Sequence, residues 1–278
     1  MINRNRTREI ALATVVVASS LAIACGAPPA PSTGGIGEAA AHAPDEKPGD
    51  AAKSSGPDGN GMHVGEVKPA DSNATATATA TPAGPTLGET PDAKLGTAPP
   101  GFGIAVGQKA PDATLDDLTG KKQKLSDLFK AGPTLVVFYR GGWCPFCNVQ
   151  LHDLAAAKAD FDKRGIKLVA ISVDKPTEEA KTQAKDGVPF PMLSDSKLVA
   201  HKAFKVMHAT SEDEQKKMAS FGVDLGAYSG EAHKSFAIPS VFLVDKGGVV
   251  RFAHVDEDYK TRPSPKQLLG IADKLGMK

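Results

Sequence analysis

Two cysteines three positions apart are the clearest chemical feature of this 278-residue chain. They lie in the segment FYRGGWCPFCNVQL, where a strand-like run ends at Arg140 and a helix-like run follows. This pattern predicts Cys144 at the helix N-cap, Cys147 in the first turn, and Pro145 at the first helical position, where its missing amide costs little. Unpaired amides and the macrodipole at a helix start stabilise a thiolate. The pair is therefore typical of a dithiol that exchanges electrons.

The two thiols are predicted to have different roles. At pH 7 a thiol of ordinary pKa is about 3% thiolate, whereas one with a pKa near 6 is about 90% thiolate. A Cys144 thiolate can attack a disulfide or a peroxide, and Cys147, one helical turn away, can then close an intramolecular disulfide and release the product. Arg140 either adds positive charge beside this thiolate or lies in solvent at the end of its strand.

Three other uses of a cysteine pair fit this sequence less well. Attachment of a c-type haem needs a histidine at the position of Asn148. A structural zinc site needs four ligands, and the chain has no second cysteine pair; His152 alone does not complete the set. A structural disulfide would close a very short loop and contribute little through chain entropy.

The N-terminus is typical of an export signal. Arg4, Arg6 and Arg8 precede an uncharged run, residues 10–24, which ends in the small-residue triplet Ala-Ile-Ala. The run has about 15 residues, whereas a membrane-spanning helix needs roughly 20. This segment therefore predicts a signal peptide.

Cys25 follows that triplet directly, and LAIACG resembles the lipobox of bacterial lipoproteins. The resemblance implies that Cys25 is lipidated and anchors the exported chain to a membrane of the bacterial envelope, although Leu21 sits one place further upstream than usual. Lipidation also accounts for the odd cysteine of an exported protein. The alternative is ordinary cleavage after Ala24, which leaves Cys25 as a free thiol.

Residues 26–100 are predicted to be a disordered tether. They are rich in Ala, Pro, Gly and Thr, and every Phe, Tyr and Trp lies at or beyond Phe102, so the segment cannot bury enough apolar surface to fold. About 75 flexible residues span about 50 Å on average. The chain thus divides into a signal peptide (1–25), a tether (26–100) and a folded domain (101–278). A net charge of +1 gives no reason to expect a nucleic-acid partner.

Within the folded domain, apolar runs of strand length alternate with segments of helical period. This alternation predicts an α/β fold, a sheet with helices packed on its faces. The predicted strands are 134–140, 167–174, 240–245 and 249–255, and the predicted helices are 148–163, 178–185, 211–221 and 264–275. The helix at 211 is marked by SEDE, which is typical of a capping box.

Four segments of this domain together resemble a known family. They are GQKAPDATL (107–115), VVFYRGGWCPFC (136–147), LVAISVD (168–174) and IPSVFLVDKGGVVRFAHVDEDYKTRPSP (238–265). All four are similar to the peroxiredoxin-like branch of the alkyl hydroperoxide reductase and thiol-specific antioxidant (AhpC/TSA) family, within the thioredoxin superfamily.

The resemblance implies a thioredoxin-like fold, in which a central mixed sheet carries helices on both faces. It implies Cys144 as the attacking thiol and Cys147 as the resolving one. It also implies a peroxide or disulfide substrate and an external thiol reductant such as a thioredoxin-like protein, with neither a cofactor nor a metal ion. Supporting positions in this comparison are Trp143, Pro145, Pro239 and Arg140.

The sequence departs from the family at the residues that choose the substrate. Typical peroxiredoxins carry Pro-x-x-x-Thr-x-x-Cys and a later arginine, which polarise the peroxide; here Val137, Gly141 and Pro239 occupy those positions. Phe138 replaces the acid that thioredoxin buries six residues before its first cysteine. Pro239 also matches the proline that thioredoxin-like proteins hold in cis, which implies that the Ile238 backbone faces an incoming substrate.

These observations predict an exported thiol antioxidant that reduces peroxides, with Arg140 or Arg251 supplying the missing positive charge. The alternative is a protein-disulfide reductase, since CPFC is similar to the glutaredoxin active site. A minor alternative is a copper carrier, because some thioredoxin-fold proteins bind Cu(I) with a cysteine pair and a distant histidine, a role that His233 could fill. Those carriers, however, space their cysteines by three residues rather than two.

Overall fold

The computed structural model describes residues 85–277. The predicted signal peptide, Cys25 and the tether up to residue 84 lie outside the described residues, so the roles assigned to them stay predictions. Within residues 85–277, no helix is long and apolar enough to cross a membrane.

The strands of the described region belong to one large sheet and two small ones. In chain order they are β1 (Gly88–Glu89), β2 (Thr114–Asp116), β3 (Lys122–Lys124), β4 (Thr134–Phe138), β5 (Lys167–Ser172), β6 (Met192–Ser194), β7 (Met207–Ala209), β8 (Ser235–Ala237), β9 (Ser240–Val244), β10 (Val250–Val255) and β11 (Thr261–Arg262). The large sheet has the order β10-β9-β4-β5-β6-β2-β3, and β1 with β11 and β7 with β8 form the two small sheets.

The large sheet is mixed, with β4 near its centre. Strand β4 runs parallel to β5 and antiparallel to β9, while β6 is parallel to β5 and antiparallel to β2. All five residues of β4 are buried, as expected for a central strand covered on both faces. The register pairs Phe138 with Ile171, so β4 and β5 end side by side.

The helices cover both faces of this sheet. In chain order they are α1 (Leu125–Ala131), α2 (Pro145–Ala156), α3 (Lys158–Lys163), α4 (Pro176–Asp186), α5 (Val199–Ala203), α6 (Glu212–Ser220), α7 (Leu225–Ser229) and α8 (Pro265–Lys274). Alternate side chains of β4 enter different cores. Val136 and Phe138 pack with α1 and α5, whereas Leu135 and Val137 pack with α2, α3 and α8. The predicted mixed sheet with helices on both faces is confirmed.

The predicted elements are present, with shifted ends. The strand predicted at 134–140 ends at Phe138, and the helix predicted at 148–163 is two helices separated at Ala157, whose ψ of 0° interrupts the first. Helix α6 begins with the predicted capping box, in which the Ser211 hydroxyl accepts a hydrogen bond from the Glu214 amide. Local capping signals therefore located this helix start correctly.

The C-terminal end of the predicted tether is part of the fold. Gly88 and Glu89 pair in parallel with Thr261 and Arg262, and Thr90 is only 1% exposed. The composition of residues 26–100 predicted disorder for the whole segment. Its C-terminal end is instead held by backbone pairing with β11 and by a hydrogen bond of 2.6 Å that Ser264 Oγ donates to Glu89 Oε1. Prediction of a tether that extends to residue 100 was wrong for these residues.

Replacing Ser264 with alanine is expected to release this N-terminal segment. Its hydroxyl caps α8 by accepting from the Gln267 amide at 3.3 Å and also donates to Glu89, so the variant should lose about 1 kcal/mol of stability. Urea unfolding measures this loss, and hydrogen exchange at 88–90 measures the release. Ser211→Ala is the matched control, because Ser211 caps α6 in the same way; equal exchange at 88–90 in both variants would contradict the prediction.

Candidate active site around the cysteine pair

The cysteine pair lies where β4 gives way to α2. Cys144 is the N-cap residue, Pro145 occupies the first turn and Cys147 follows within the helix. Both cysteines are free thiols, and their side chains are 1% and 0% exposed respectively. The Asn148 side-chain amide donates to the Gly142 carbonyl at 3.0 Å, which fastens the loop between strand and helix. Cys144 thus lies at the N-terminus of α2, and Cys147 lies one turn further into the helix.

The surroundings separate the two thiols electrostatically. The Cys147 thiol donates a hydrogen bond to Cys144, and the charges of Arg140 and Arg262 add to this effect, so that despite burial the pKa of Cys144 is lowered to about 6. Burial, the bond to Cys144 and the negative charge of Cys144 raise the pKa of Cys147 above its ordinary value. At neutral pH, Cys144 is a thiolate and Cys147 keeps its proton.

The Cys144 thiolate is expected to titrate near pH 6, and Cys147 should set this value. Reactivity toward iodoacetamide should rise through pH 6 and level off above pH 7, because only the thiolate reacts. Cys147→Ala removes the donor and should raise the pKa of Cys144, while Cys147→Ser keeps a donor and should raise it less. The midpoint of thiolate absorbance against pH gives the pKa of Cys144 in all three proteins. Equal midpoints in the alanine and serine variants would refute a hydrogen-bond origin.

Arg140 lies at the thiol and not in solvent. Its Nη1 is 3.9 Å from Cys144 Sγ, and its guanidinium carbon lies 4.9, 4.6 and 4.4 Å from the ring centroids of Trp143, Phe236 and Tyr259. Within residues 85–277, no carboxylate forms an ion pair with it. Aromatic faces favour a cation without neutralising it, so the charge of Arg140 remains available to an anion at Cys144.

Arg262 is a second cation of the site that sequence reasoning missed. It is buried, its Nε donates to Gln150 Oε1 at 3.1 Å, and its charge lowers the pKa of both cysteines. The other candidate, Arg251, is exposed and contacts Asp245 at 3.4 Å. Arg140 and Arg262, rather than Arg251, therefore supply positive charge to the thiols.

An apolar pocket of about 490 Å³ opens beside Cys144. Its walls combine aromatic rings next to the cysteine with side chains from α6 and the loop that follows it: Trp143, Phe146, Tyr259, Met218, Phe221 and Val223. Phe221 is 74% exposed at the pocket rim, and Lys217 adds a charged group. Substrate pockets commonly combine apolar walls with a few polar groups. The sequence predicted α6 but gave no signal that it borders the cysteines.

Pro239 lies near this pocket, but its predicted cis bond is wrong. It lines a smaller adjoining cavity of about 240 Å³ together with Arg140 and Tyr259, and the described chain contains no cis peptide bond. The Ile238 amide donates to the Val206 carbonyl at 2.7 Å, and the Ile238 carbonyl accepts from the Ser240 hydroxyl at 2.7 Å. Both polar groups of the Ile238 backbone are thus used inside the fold and do not face a substrate.

Two of the positions that carry peroxide-polarising residues in typical peroxiredoxins do not carry them here. Val137 is fully buried in the core under β4. A Cβ on Gly141 would lie 2.3 Å from Trp143 Nε1 and 2.8 Å from Asp174 Oδ1, so the threonine of typical peroxiredoxins does not fit there. Arg140 is the remaining group of the expected set that contacts Cys144.

The histidine proposed for copper is engaged elsewhere. His233 Nε2 lies 2.8 Å from the Ser196 carbonyl oxygen, and its Nδ1 accepts from the Ser235 amide at 3.0 Å. In the described part of the chain, no group of three or more His, Cys, Asp or Glu side chains is placed to hold a metal ion. The structure therefore adds no support to a copper site at His233.

Asp174 is the acidic residue of the site that sequence reasoning missed. It ends the predicted strand LVAISVD, is 0% exposed, and accepts a hydrogen bond from the Gly142 amide at 2.7 Å. Burial is the main cause that raises its pKa to about 7, and the charge of Glu178 contributes. The available signal was its place at the carboxyl end of a buried strand parallel to β4, where functional side chains often lie.

A central mixed sheet, helices on both faces and a cysteine pair at the start of the helix after the central strand define a thioredoxin-fold dithiol protein. The chain belongs to the AhpC/TSA family, whose model matches residues 106–253. Among solved structures, peroxiredoxin 6 of Arenicola marina superimposes with a TM-score of 0.51 at 17% identity, covering 63% of this chain and 74% of that one. This likeness confirms the fold.

Three curated relatives show how far the similarity extends. Rv2521 of Mycobacterium tuberculosis is 37% identical over 92 residues, 33% of this chain and 58% of that protein. Peroxiredoxin Bcp of Escherichia coli K12 is 30% identical over 159 residues, 57% of this chain and 88% of Bcp. Thiol-disulfide oxidoreductase ResA of Geobacillus thermodenitrificans is 24% identical over 149 residues, 53% of this chain and 68% of ResA. The match thus spans 58% of the length of Rv2521.

Proposed function

We propose that this protein is an exported thiol peroxidase that cycles between the Cys144/Cys147 dithiol and an internal disulfide. The observation that carries the proposal is the Cys144 thiol, 1% exposed, on an apolar pocket with the Arg140 guanidinium 3.9 Å from its sulfur. A small oxidant can enter such a pocket, whereas a protein disulfide needs an accessible sulfur. The relatives named as peroxiredoxins agree with this choice.

The proposed cycle has three steps. The Cys144 thiolate attacks one peroxide oxygen, the O–O bond breaks, and an alcohol or water leaves while Cys144 becomes a sulfenic acid. Cys147 then attacks the Cys144 sulfur, which forms the disulfide and releases water. An external dithiol reductant, such as a thioredoxin-like protein, restores both thiols. Arg140 stabilises the negative charge that develops on the oxygens in the first step.

A stopped-flow experiment tests this function. Reduced protein is mixed with hydrogen peroxide or with cumene hydroperoxide, and the fluorescence of Trp143, the single tryptophan of the chain, reports oxidation. We expect fast oxidation of the wild type and none of Cys144→Ser. Oxidation no faster than that of a free thiol would refute the peroxidase function.

Protein-disulfide reduction is the second candidate, favoured by the absence of the usual peroxide-polarising residues and by the relative ResA. Insulin reduction, assayed beside the peroxide reactions, separates the two. Rapid insulin reduction together with slow peroxide oxidation would establish this second function in place of the first.

We further propose that the protein is held at the bacterial envelope through lipid on Cys25. The support is the LAIACG sequence and the odd cysteine that it accounts for. Cell fractionation of the full-length protein tests this: the wild type should be found with membranes and Cys25→Ser should not. Equal distribution of both proteins would contradict the anchor.

A further inference from the structure

A buried carboxylate reaches the cysteine loop from the neighbouring strand. Phe138, at the position where thioredoxin has its buried acid, is packed between the rings of Phe204 and Phe242 at 5.1 and 6.0 Å, so no acid comes from β4. Asp174 instead follows β5, which ends beside β4. Its Oδ2 is fixed by the Gly142 amide at 2.7 Å. The acid is therefore held against the loop that precedes Cys144.

The other oxygen of this carboxylate has no partner within the described chain. Asp174 Oδ1 and Trp143 Nε1 are both buried without a hydrogen bond, and both lie within 2.8 Å of the point where a Cβ on Gly141 would stand. A buried carboxylate oxygen with no partner is costly, which is why such groups are often functional. Because Gly141 has no Cβ, Asp174 Oδ1 can lie against the loop, where it is available to accept a proton.

Cys147 borders the same loop. Its thiol is fully buried and is close enough to the Arg140 backbone amide for a hydrogen bond that favours its thiolate. A thiolate at Cys147 would raise the pKa of Asp174. Both groups therefore border the loop of Arg140, Gly141 and Gly142, Asp174 at the Gly142 amide and Cys147 at the Arg140 amide.

The other carboxyl groups around Asp174 already have hydrogen-bond or ion-pair partners. Glu179 is occupied by hydrogen bonds from Ser172 Oγ, at 2.6 Å, and from Tyr139. Burial and the charge of Asp174 raise the pKa of Glu179, and burial with the charge of Glu179 raises that of Tyr139. Glu178 contacts Lys181 at 2.9 Å near the surface. Among these three carboxyl groups, Asp174 is the one that has a buried oxygen without a hydrogen bond.

We propose that Asp174 accepts the proton of Cys147 when this thiol closes the disulfide with Cys144. The proposal rests on the dithiol cycle above and assigns its proton-transfer residue. In closure, the Cys147 S–H bond breaks and its proton passes to Asp174 Oδ1, directly or through one water. The freed electron pair forms the S–S bond, and the Cys144 S–O bond breaks. Hydroxide leaves and becomes water with the proton carried by Asp174.

The role predicts a specific pH dependence of closure. At a pH where Asp174 is a carboxylate it can accept the proton, so closure should accelerate as the pH rises through about 7, the pKa of this carboxyl. Proton transfer by a positioned side chain typically contributes on the order of 10²-fold or more to a rate. Asp174→Asn keeps an oxygen for the Gly142 amide but removes the base, so closure should slow by about that factor.

Two-phase release of thionitrobenzoate from Ellman's reagent measures closure without peroxide. The full-length Cys25→Ser protein is used, so that of the three cysteines only Cys144 and Cys147 react. Cys144 first attacks the reagent and releases one thionitrobenzoate; Cys147 then attacks the mixed disulfide and releases a second. Asp174→Asn should slow the second phase alone. Cys147→Ser should lack this phase, and Glu179→Gln, the neighbouring buried carboxyl, should keep both the phase and its pH profile.

The outcomes separate this proposal from the proposed function. Equal second phases in wild type and Asp174→Asn would overturn the role of Asp174 alone, whatever the peroxide assay shows. Absence of the first phase from the wild type, together with no oxidation by hydrogen peroxide, would overturn both, since Cys144 would not be nucleophilic. If hydrogen peroxide oxidises the wild type but Ellman's reagent does not reach Cys144, closure is followed instead by the fluorescence of Trp143 after peroxide, with the same variants and the same expected outcomes. If Asp174→Asn does not fold, the wild-type profile decides: a second phase that is flat between about pH 5 and about pH 9 excludes an acceptor that titrates in this range.

Discussion

A Cys147→Ser protein is expected to be oxidised once by a peroxide and then to stop. The first attack needs only the Cys144 thiolate, which the serine hydroxyl can still support with a hydrogen bond. The second step needs a thiol one helical turn away, because only sulfur can form the disulfide that releases water. Turnover with an external dithiol reductant should therefore fall by on the order of 10²-fold or more.

Rapid quench with a sulfenic-acid trap, followed by mass spectrometry, checks this expectation. Cys147→Ser should accumulate one trapped adduct per chain at Cys144, whereas the wild type should show the Cys144–Cys147 disulfide and Cys144→Ser should show neither product. Sustained turnover of Cys147→Ser would mean that the external reductant attacks Cys144 directly. In that case Cys147 would tune the pKa of Cys144 without resolving it.

The geometry of the helix start could be predicted from the sequence because its determinants are local. A continuous apolar run forms β4, and a proline directly after Cys144 fixes the first turn of α2. The placement of both thiols follows from these two features. The capping box that starts α6 is equally local. Each depends on residues within one turn of one another, and sequence patterns describe such distances well.

The groups that tune the thiols come from distant parts of the chain, and the sequence did not reveal them. Asp174 lies 32 positions from Gly142, from whose amide it accepts a hydrogen bond, and Arg262 lies 112 positions from its hydrogen-bond partner Gln150. Whether a strand-end carboxylate turns inward depends on which backbone amide it meets. That partner is set by the register of β4 and β5. Both strands are buried on both faces, so their continuous apolar runs lack the alternation that would specify this register.

The predicted cis bond at Pro239 was wrong because it was inferred from a local sequence match alone. Most X-Pro bonds are trans, with about 5% cis in folded proteins, and the expected cis bond at Pro239 rested on resemblance to thioredoxin-like proteins. In the structure, Val206 and Ser240 satisfy the Ile238 backbone. This proline occupies the place of the peroxiredoxin arginine, and Arg140 is a cation that the structure places at Cys144.

Gly141→Ala is expected to destabilise the protein through a steric clash and backbone strain together. The residue has a φ of 147°, where a side chain is strained, and the added Cβ would lie 2.3 Å from Trp143 Nε1 and 2.8 Å from Asp174 Oδ1. Both neighbours are held by packing, so the loop must move. Overpacking and backbone strain together should cost on the order of 3 kcal/mol. Urea denaturation measures this cost.

Gly270→Ala is the control for the same substitution elsewhere, since Gly270 lies within α8 and a Cβ there meets no atom within 4 Å. It should stabilise the protein by about 0.5 to 1 kcal/mol, because alanine favours a helix over glycine. If Gly141→Ala were as stable as the wild type, a side chain would fit beside Cys144, and the absence of the peroxiredoxin threonine would not have a steric cause. If the variant is destabilised as expected, the packing of Trp143 and Asp174 excludes that threonine. In the proposed peroxidase reaction this leaves Arg140, whose Nη1 lies 3.9 Å from Cys144 Sγ, as the group placed to polarise the peroxide.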